Sequence, residues 1–371
     1  MPKAQETILE IDLNALRHNF EYLKSKLKSN TKFLAVVKAF AYGNDAEEIA
    51  RYLQHLDIDY FAVAYANEGA ALRQAGVTKP ILVLHTLAVN FDVVLENCLE
   101  PNLYNAKILN EFIAFTEAEN QNEYPVHIKF NTGLNRLGFW ENDVDYIVSK
   151  LKATSAVKVK SLFSHLAASE DLNERDFTLR QIASFKEIAE NFSKAIGYQP
   201  ILHMTNTSGI LNYPEAHFDM VRSGIGLYGF GNSEKESTYL KPIASLKTVI
   251  SQIHQIEKGE SVGYNRAYKS DALFTKTATL PLGHADGISR IYGNGKGFVI
   301  IHGKRAPIIG NVCMDMIMVN ITGIDCKEGD EVIIFDGETT SAETLAEGAG
   351  TISYELITSI SQRVKRVILK S

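Results

Sequence analysis

The chain has 371 residues, and 38 Lys and Arg against 44 Asp and Glu give it a formal charge of −6. That length suits about two domains with a large core, and a content of 45% hydrophobic and 22% charged residues excludes a disordered or fibrous chain. The mild acidity supplies no electrostatic pull toward nucleic acid or an anionic membrane, so neither is expected as a partner.

In chain order, residues 1–13 lack the apolar segment of a secretory signal. Residues 14–27 then read as a helix, with Leu16, Phe20, Leu23 and Leu27 on one stripe, and residues 45–56 and 173–196 read similarly. Short apolar runs recur at 33–39, 60–64, 80–85, 100–105, 125–131, 157–166, 200–206 and 220–230. Most are continuous rather than alternating, as in parallel strands covered on both faces. Eight such runs separated by amphipathic stretches predict an α/β fold that opens with a (β/α)8 barrel, with an open doubly wound sheet as the competitor. Residues 232–237 read as a polar linker, which places the barrel at 1–235 and a mostly-β C-terminal domain at 236–371. In that second domain, strands are expected at 248–256, 272–282, 297–301, 306–320, 331–335 and 363–369, with short helices at 341–349 and 354–360. No run reaches the roughly 18 apolar residues of a membrane span. Cys98, Cys313 and Cys326 are odd in number and far apart, which fits a reducing cytoplasm and supplies no metal-ligand cluster.

Barrel active sites gather at the carboxyl ends of the strands. Polar residues from distant parts of the chain share that placement: Lys38, Asn131 with Arg136 beyond it, His165, Asn206 with Thr207, and Arg222. Lys38 follows Phe33-Leu34-Ala35-Val36-Val37, so its ammonium is expected to lose hydration and become a nucleophilic amine able to form a Schiff base with an aldehyde. A lysine snorkelling to solvent is the plain alternative. Gly224-Ile225-Gly226-Leu227-Tyr228-Gly229 fits the dinucleotide pattern G-x-G-x-x-G, but it lies late in the chain with no helical periodicity after it. It reads better as backbone amides offered to a phosphate after the last barrel strand, or as a simple glycine-rich turn.

An aldehyde-reactive lysine and a phosphate cup on a barrel point to pyridoxal 5′-phosphate. The segment Val36-Val37-Lys38-Ala39-Phe40-Ala41-Tyr42-Gly43 resembles the cofactor-lysine signature of the alanine racemase family. Residues 132–138, 164–167, 203–208, 221–229, 262–264, 282–287, 313–315, 351–355 and 360–364 resemble further blocks of that family, in the family's order. The resemblance implies a homodimer in which each β domain completes the other subunit's site, and a role in supplying D-alanine for peptidoglycan. It implies that Lys38 carries the cofactor, that Tyr42, Thr207, Gly224, Ile225 and Tyr354 hold its phosphate with Asn206 nearby, and that Arg222 meets the pyridine nitrogen. His165 is then expected beside the ring and bonded to Arg222. Arg136 is expected at the ring hydroxyl and substrate carboxylate, and Tyr264 and Met314 are expected to arrive from the partner subunit.

Racemisation removes a Cα proton on one face and returns one on the other, so it needs two acid/base groups. The resemblance assigns the D-enantiomer's proton to Lys38 and the L-enantiomer's to Tyr264. An arginine at the pyridine nitrogen keeps the ring unprotonated, whereas related barrel decarboxylases place a carboxylate there. Several positions depart from the family pattern: Phe40, Asn44, Asn131, Thr207 and His284. His284 stands where a tyrosine is common near the substrate's way in, which opens the alternative of a broad-spectrum amino-acid racemase. Lys129 matches a position carbamylated in some relatives. A decarboxylase and a cofactor-carrying protein without activity are the remaining alternatives.

Overall fold

A computed structural model describes residues 4–370. The first strand, β1 (Ile8–Asp12), runs into a helix at Leu13–Lys24 whose first amides are capped by the Asp12 carboxylate. Eight parallel strands follow: β2 (Lys32–Val36), β3 (Tyr60–Val63), β4 (Ile81–Val83), β5 (Glu100–Leu103), β6 (Tyr124–Lys129), β7 (Val157–Phe163), β8 (Ile201–His203) and β9 (Met220–Ser223). They pair in the order β8-β7-β6-β5-β4-β3-β2-β9, each of the eight runs read from the sequence supplying one strand. At the seam between β8 and β9, the amide of Asp219 donates to the carbonyl of Leu202 and the Asp219 carboxylate accepts from the Leu202 amide. The sheet is therefore a nearly closed barrel rather than an open doubly wound sheet. Helices at Ala46–His55, Ala66–Gln74, Ala106–Ala118, Val144–Lys152 and Arg175–Ile196 cover its outside.

Beyond the barrel lie β10 (Ala244–Val249), β11 (Gln252–Glu257), β12 (Ser261–Val262), β13 (Tyr268–Lys269), β14 (Phe274–Leu280), β15 (Phe298–Ile301), β16 (Lys304–Ile309), β17 (Ile317–Asn320), β18 (Glu331–Phe335) and β19 (Lys365–Leu369). Nine strands form one sheet in the order β11-β14-β17-β16-β15-β18-β10-β1-β19. Three local readings change. The run 248–256 breaks at residues 250–251 into two strands, because Ile250 bonds to the carbonyl of Asp330 and Ser251 turns to the carbonyl of Thr279. The run 306–320 breaks at 310–316, a loop that presents Cys313 and Met314. Residues 232–237 are ordered by Glu236, which is buried and accepts hydrogen bonds from Ser208, Asn212 and the Asn232 amide. A strand at Ile8–Asp12 was not expected; it pairs antiparallel with β10 and parallel with β19, so the amino terminus stitches into the second sheet.

The turn after β2 is the least ordinary piece of backbone. Ala39, Phe40, Ala41 and Tyr42 all lie near φ +51 to +56° and ψ +44 to +54°, one left-handed turn made of residues with no preference for it. Each such residue costs about 1–2 kcal/mol, so the surroundings must over-determine the conformation. The Glu68 carboxylate accepts from Ala39 N at 2.7 Å, Ala64 N at 2.7 Å and Tyr65 N at 3.1 Å. From the second domain, the Arg366 guanidinium donates to the carbonyls of Gly43 at 2.8 Å and Asn44 at 3.0 Å. At Gly43, with φ +83°, a Cβ would lie 1.9 Å from the carbonyl oxygen of Ile357, so the two domains meet at a point that admits only glycine.

Candidate active site

The carboxyl ends of the barrel strands open into a cavity of about 600 Å³. Lys38, Tyr42, Lys129, Arg136, His165, Asn206, Thr207, Arg222, Gly224, Ile225 and Tyr354 line it, residues that span more than 300 positions of the chain. Four of these side chains are cationic and none of the lining residues is Asp or Glu, so the cavity favours an anionic ligand. Burial lowers the pKa of Lys38 and Arg136 lowers it further, with Glu68 opposing, so more of its amine is free base near neutrality than for an exposed lysine. Burial and the charges of Arg136, Arg222 and Lys38 bring Lys129 down to about 8.

Arg222 is buried on β9 with its guanidinium spread over several acceptors. One terminal nitrogen donates to His203 Nδ1 at 2.7 Å; the other reaches the Ser164 carbonyl at 2.8 Å and His165 Nδ1 at 2.9 Å. Because arginine only donates, His165 must accept through Nδ1 and carry its proton on Nε2. Burial and the neighbouring cations hold its pKa well below the usual imidazole range, which keeps it in that neutral form. The Arg222 Nε–H has no protein acceptor among the described residues, which leaves a spare donor on a residue that lines the cavity.

At the opposite end two helix starts converge. Thr207 opens the helix Thr207–Asn212 behind the Asn206 cap, and Gly224 precedes the 3₁₀ turn Ile225–Tyr228. The first amides of each lack intrahelical acceptors and suit an anion. Gly224 cannot be replaced freely: a Cβ there would sit 2.2 Å from Tyr42 Oη. Burial raises the Tyr42 and Tyr354 phenols far above their ordinary value, so both stay protonated as donors. Tyr354 is held by Asn232 at 2.9 Å. Asn232 and His85, which also line the cavity, do not stand out in the sequence: Asn232 opens the polar linker, and His85, though it ends the run 80–85, belongs to no motif block.

Arg136 is delivered by an Asx-type loop in which the Asn131 side chain accepts from the amides of Gly133 and Asn135. Asn131 therefore braces the loop and is not among the residues lining the cavity. Tyr264 and Met314 do not line this chain's cavity either; they are 75% and 59% exposed. The two lie on adjacent loops, joined where Asn311 Nδ2 donates to the Tyr264 carbonyl. His284 lines a separate shallow pocket with Gly287, Ser289, Arg290 and Ser359.

Comparison with known proteins places the chain. Residues 11–231 match the family described as alanine racemase, N-terminal domain, and residues 243–368 match alanine racemase, C-terminal domain. Among curated relatives, the alanine racemase of Thermodesulfovibrio yellowstonii is 37% identical over 369 residues, covering 96% of both chains. That of Halothermothrix orenii is 36% identical, covering 97% of this chain and 96% of the relative. Among solved structures, alanine racemase of Clostridium difficile 630 superposes with a TM-score of 0.92 at 33% identity, covering 100% of this chain and 97% of that one. A Bartonella henselae alanine racemase with covalently bound pyridoxal phosphate gives 0.89 at 28% identity, covering 99% of this chain and 100% of its own.

Proposed function

Because the chain belongs to the alanine racemase family, we propose that its cavity binds pyridoxal 5′-phosphate and alanine and exchanges the Cα proton between Lys38 and Tyr264 of the partner subunit. The enzyme is an isomerase that interconverts L-alanine and D-alanine. What carries the reading of the site is the meeting, in one cation-lined cavity, of a depressed lysine amine, an anion cradle and an arginine with a spare donor. These features fit the cofactor's aldehyde, phosphate and pyridine nitrogen in turn. When bound, the cofactor supplies an electron-withdrawing ring that makes the substrate Cα proton removable.

The residues of the chain supply the rest. Lys38 would hold the cofactor by its aldehyde, and its amine would hold or return a proton on its own face of the substrate Cα. The amides of Gly224 and Ile225 with the hydroxyls of Thr207, Tyr42 and Tyr354 hold the phosphate, and Asn206 positions that corner by capping the Thr207 helix. Arg222 would donate to the ring nitrogen without protonating it, His165 keeps Arg222 in register, and Arg136 would receive the substrate carboxylate. Tyr264 of the partner subunit serves the opposite face, with Met314 beside it. The exposed apolar residues Tyr264, Leu273, Phe274, Met314, Met316 and Ile352 support a homodimer that covers them. We further place the protein in the cytoplasm, with D-alanine for peptidoglycan as its use; among the described residues no helix is long and apolar enough to cross a membrane.

Purified protein with pyridoxal phosphate is expected to incorporate solvent deuterium at Cα of both alanine enantiomers. Absence of exchange from either one contradicts the reading. Gly224→Ala, whose new Cβ displaces Tyr42, is expected to raise the Kd for pyridoxal phosphate about tenfold or more without changing helix content. Titration of the cofactor's absorbance measures it, and an unaltered Kd would remove the cradle from the phosphate site.

A further inference from the structure

Inside the barrel, below the cavity, lies a row of buried polar side chains that the reaction described above does not use. Glu100 on β5 is 8% exposed, and His127 on β6, Ser161 on β7 and His203 on β8 are fully buried. They form one continuous chain. Glu100 Oε2 lies 2.7 Å from His127 Nε2, His127 Nδ1 lies 2.5 Å from Ser161 Oγ, Ser161 Oγ lies 2.9 Å from His203 Nε2, and His203 Nδ1 lies 2.7 Å from Arg222.

The direction of every bond follows from the arginine. A guanidinium has no acceptor, so His203 Nδ1 must accept and the His203 proton sits on Nε2, donating to Ser161. Ser161 has one proton and spends it on His127 Nδ1, which therefore accepts. His127 carries its proton on Nε2 and donates to the Glu100 carboxylate. A doubly protonated His127 would leave Ser161 with two incoming donors and no acceptor for its own proton. All four bonds thus point from the buried cation to the carboxylate, an alignment in which each bond polarises the next.

We propose that Glu100 is a positioning residue for the racemase reaction: through His127, Ser161 and His203 it serves as the remote counter-charge of Arg222 and locks the tautomers that hold the guanidinium at the cofactor's ring nitrogen. The proposal rests on the functional reading above and deepens it. Among the described residues Arg222 has no carboxylate against it; Arg136, Lys129 and Lys38 share its cavity, His165 and His203 bond to it, and burial followed by Arg136 lowers its pKa. A buried cation in such company is stabilised by a distant anion whose bonds are aligned toward it. Glu100 is otherwise faced by Tyr60, Tyr124 and Arg73, and the first two phenols are driven up by burial with Glu100 contributing. No proton is transferred along the chain; its bonds hold charge and orientation.

Glu100→Gln keeps an oxygen that accepts from His127 and removes only the charge. In the holoenzyme kcat is expected to fall about tenfold with the KM for alanine little changed, and the cofactor's visible absorbance maximum to shift, because the Arg222 guanidinium loses the distant charge that fixes its orientation. Glu100→Asp, which keeps the charge, is expected to restore most of that loss. Unchanged kcat and an unshifted absorbance maximum in a Gln variant of wild-type circular dichroism overturn the proposal. The second readout needs neither cofactor nor variant: ¹⁵N-histidine spectra of the wild-type apoprotein near pH 8 are expected to report His127 and His203 as neutral Nε2–H tautomers. An Nδ1–H tautomer or a doubly protonated ring at either position overturns it equally. If the wild-type holoenzyme fails to racemise alanine, the functional reading falls while these spectra still decide the protonation of the chain.

Discussion

Lys38→Ala is expected to lower racemisation by about 10³-fold or more with both enantiomers. The amine does two jobs in the proposed site, tethering the cofactor and serving one face of Cα, and no neighbour can take over both. Lys129 lines the same cavity with its own amine down to about 8, but it is already enclosed by Arg136 and Arg222. The measurement is twofold: kcat with each enantiomer, and mass spectrometry after borohydride reduction, which fixes the cofactor to Lys38 in the wild type. A cofactor adduct retained at full yield in Lys38→Ala would move the tether elsewhere. Restoration of part of the activity by a small primary amine would show that the missing group is the base and not a packing element. The left-handed turn beginning at Ala39 makes that distinction useful, since its anchors, Glu68 and Arg366, remain intact in the variant.

Tyr264→Phe is expected to reduce proton abstraction from L-alanine by about 10²–10⁴-fold while sparing abstraction from D-alanine far more. Loss of one hydroxyl leaves the fold untouched, because Tyr264 is 75% exposed and, among the described residues, no side-chain partner of its hydroxyl is present, only Asn311 on its backbone carbonyl. Single-turnover exchange of each enantiomer separates the two faces, whereas steady-state racemisation cannot, being bound by its equilibrium constant. Equal loss on both faces would end the division of labour. The same variant tests sharing between subunits. In a 1:1 mixture of Lys38→Ala and Tyr264→Phe chains, half the dimers are mixed and one of their two sites is intact, so about a quarter of wild-type activity is expected. Activity that stays at the level of the separate variants would place Lys38 and Tyr264 in a single subunit's site and undo the shared arrangement.

Much of this protein can be read without coordinates. Buried parallel strands must be apolar on both faces, so the eight barrel strands stand out as continuous runs, and a lysine placed directly after Val36-Val37 is conspicuous for the same reason. Strand ends are where side chains leave the core, which explains why Lys38, His165, Thr207 and Arg222 could be collected from distant positions and why they do share a cavity. The resemblance of the motif blocks supplied the chemistry that those placements alone leave open.

Other features had no local signal. β1 is short, and its partners β10 and β19 lie more than 230 residues away, so only assembly of the second sheet assigns it. Ala39 to Tyr42 have no propensity for positive φ; the turn exists because Glu68 and Arg366 satisfy its backbone from two other parts of the chain. Asn232 reads as linker until the fold brings it to Tyr354. Glu100, His127, Ser161 and His203 sit within or at the end of strand runs as polar interruptions, and their common direction appears only when four neighbouring strands align them behind Arg222. Local sequence reports which side chains must be hidden, because burial is settled by the hydrophobicity of each segment. Which polar groups satisfy one another is settled by strand order and barrel closure, and that is a property of the whole chain.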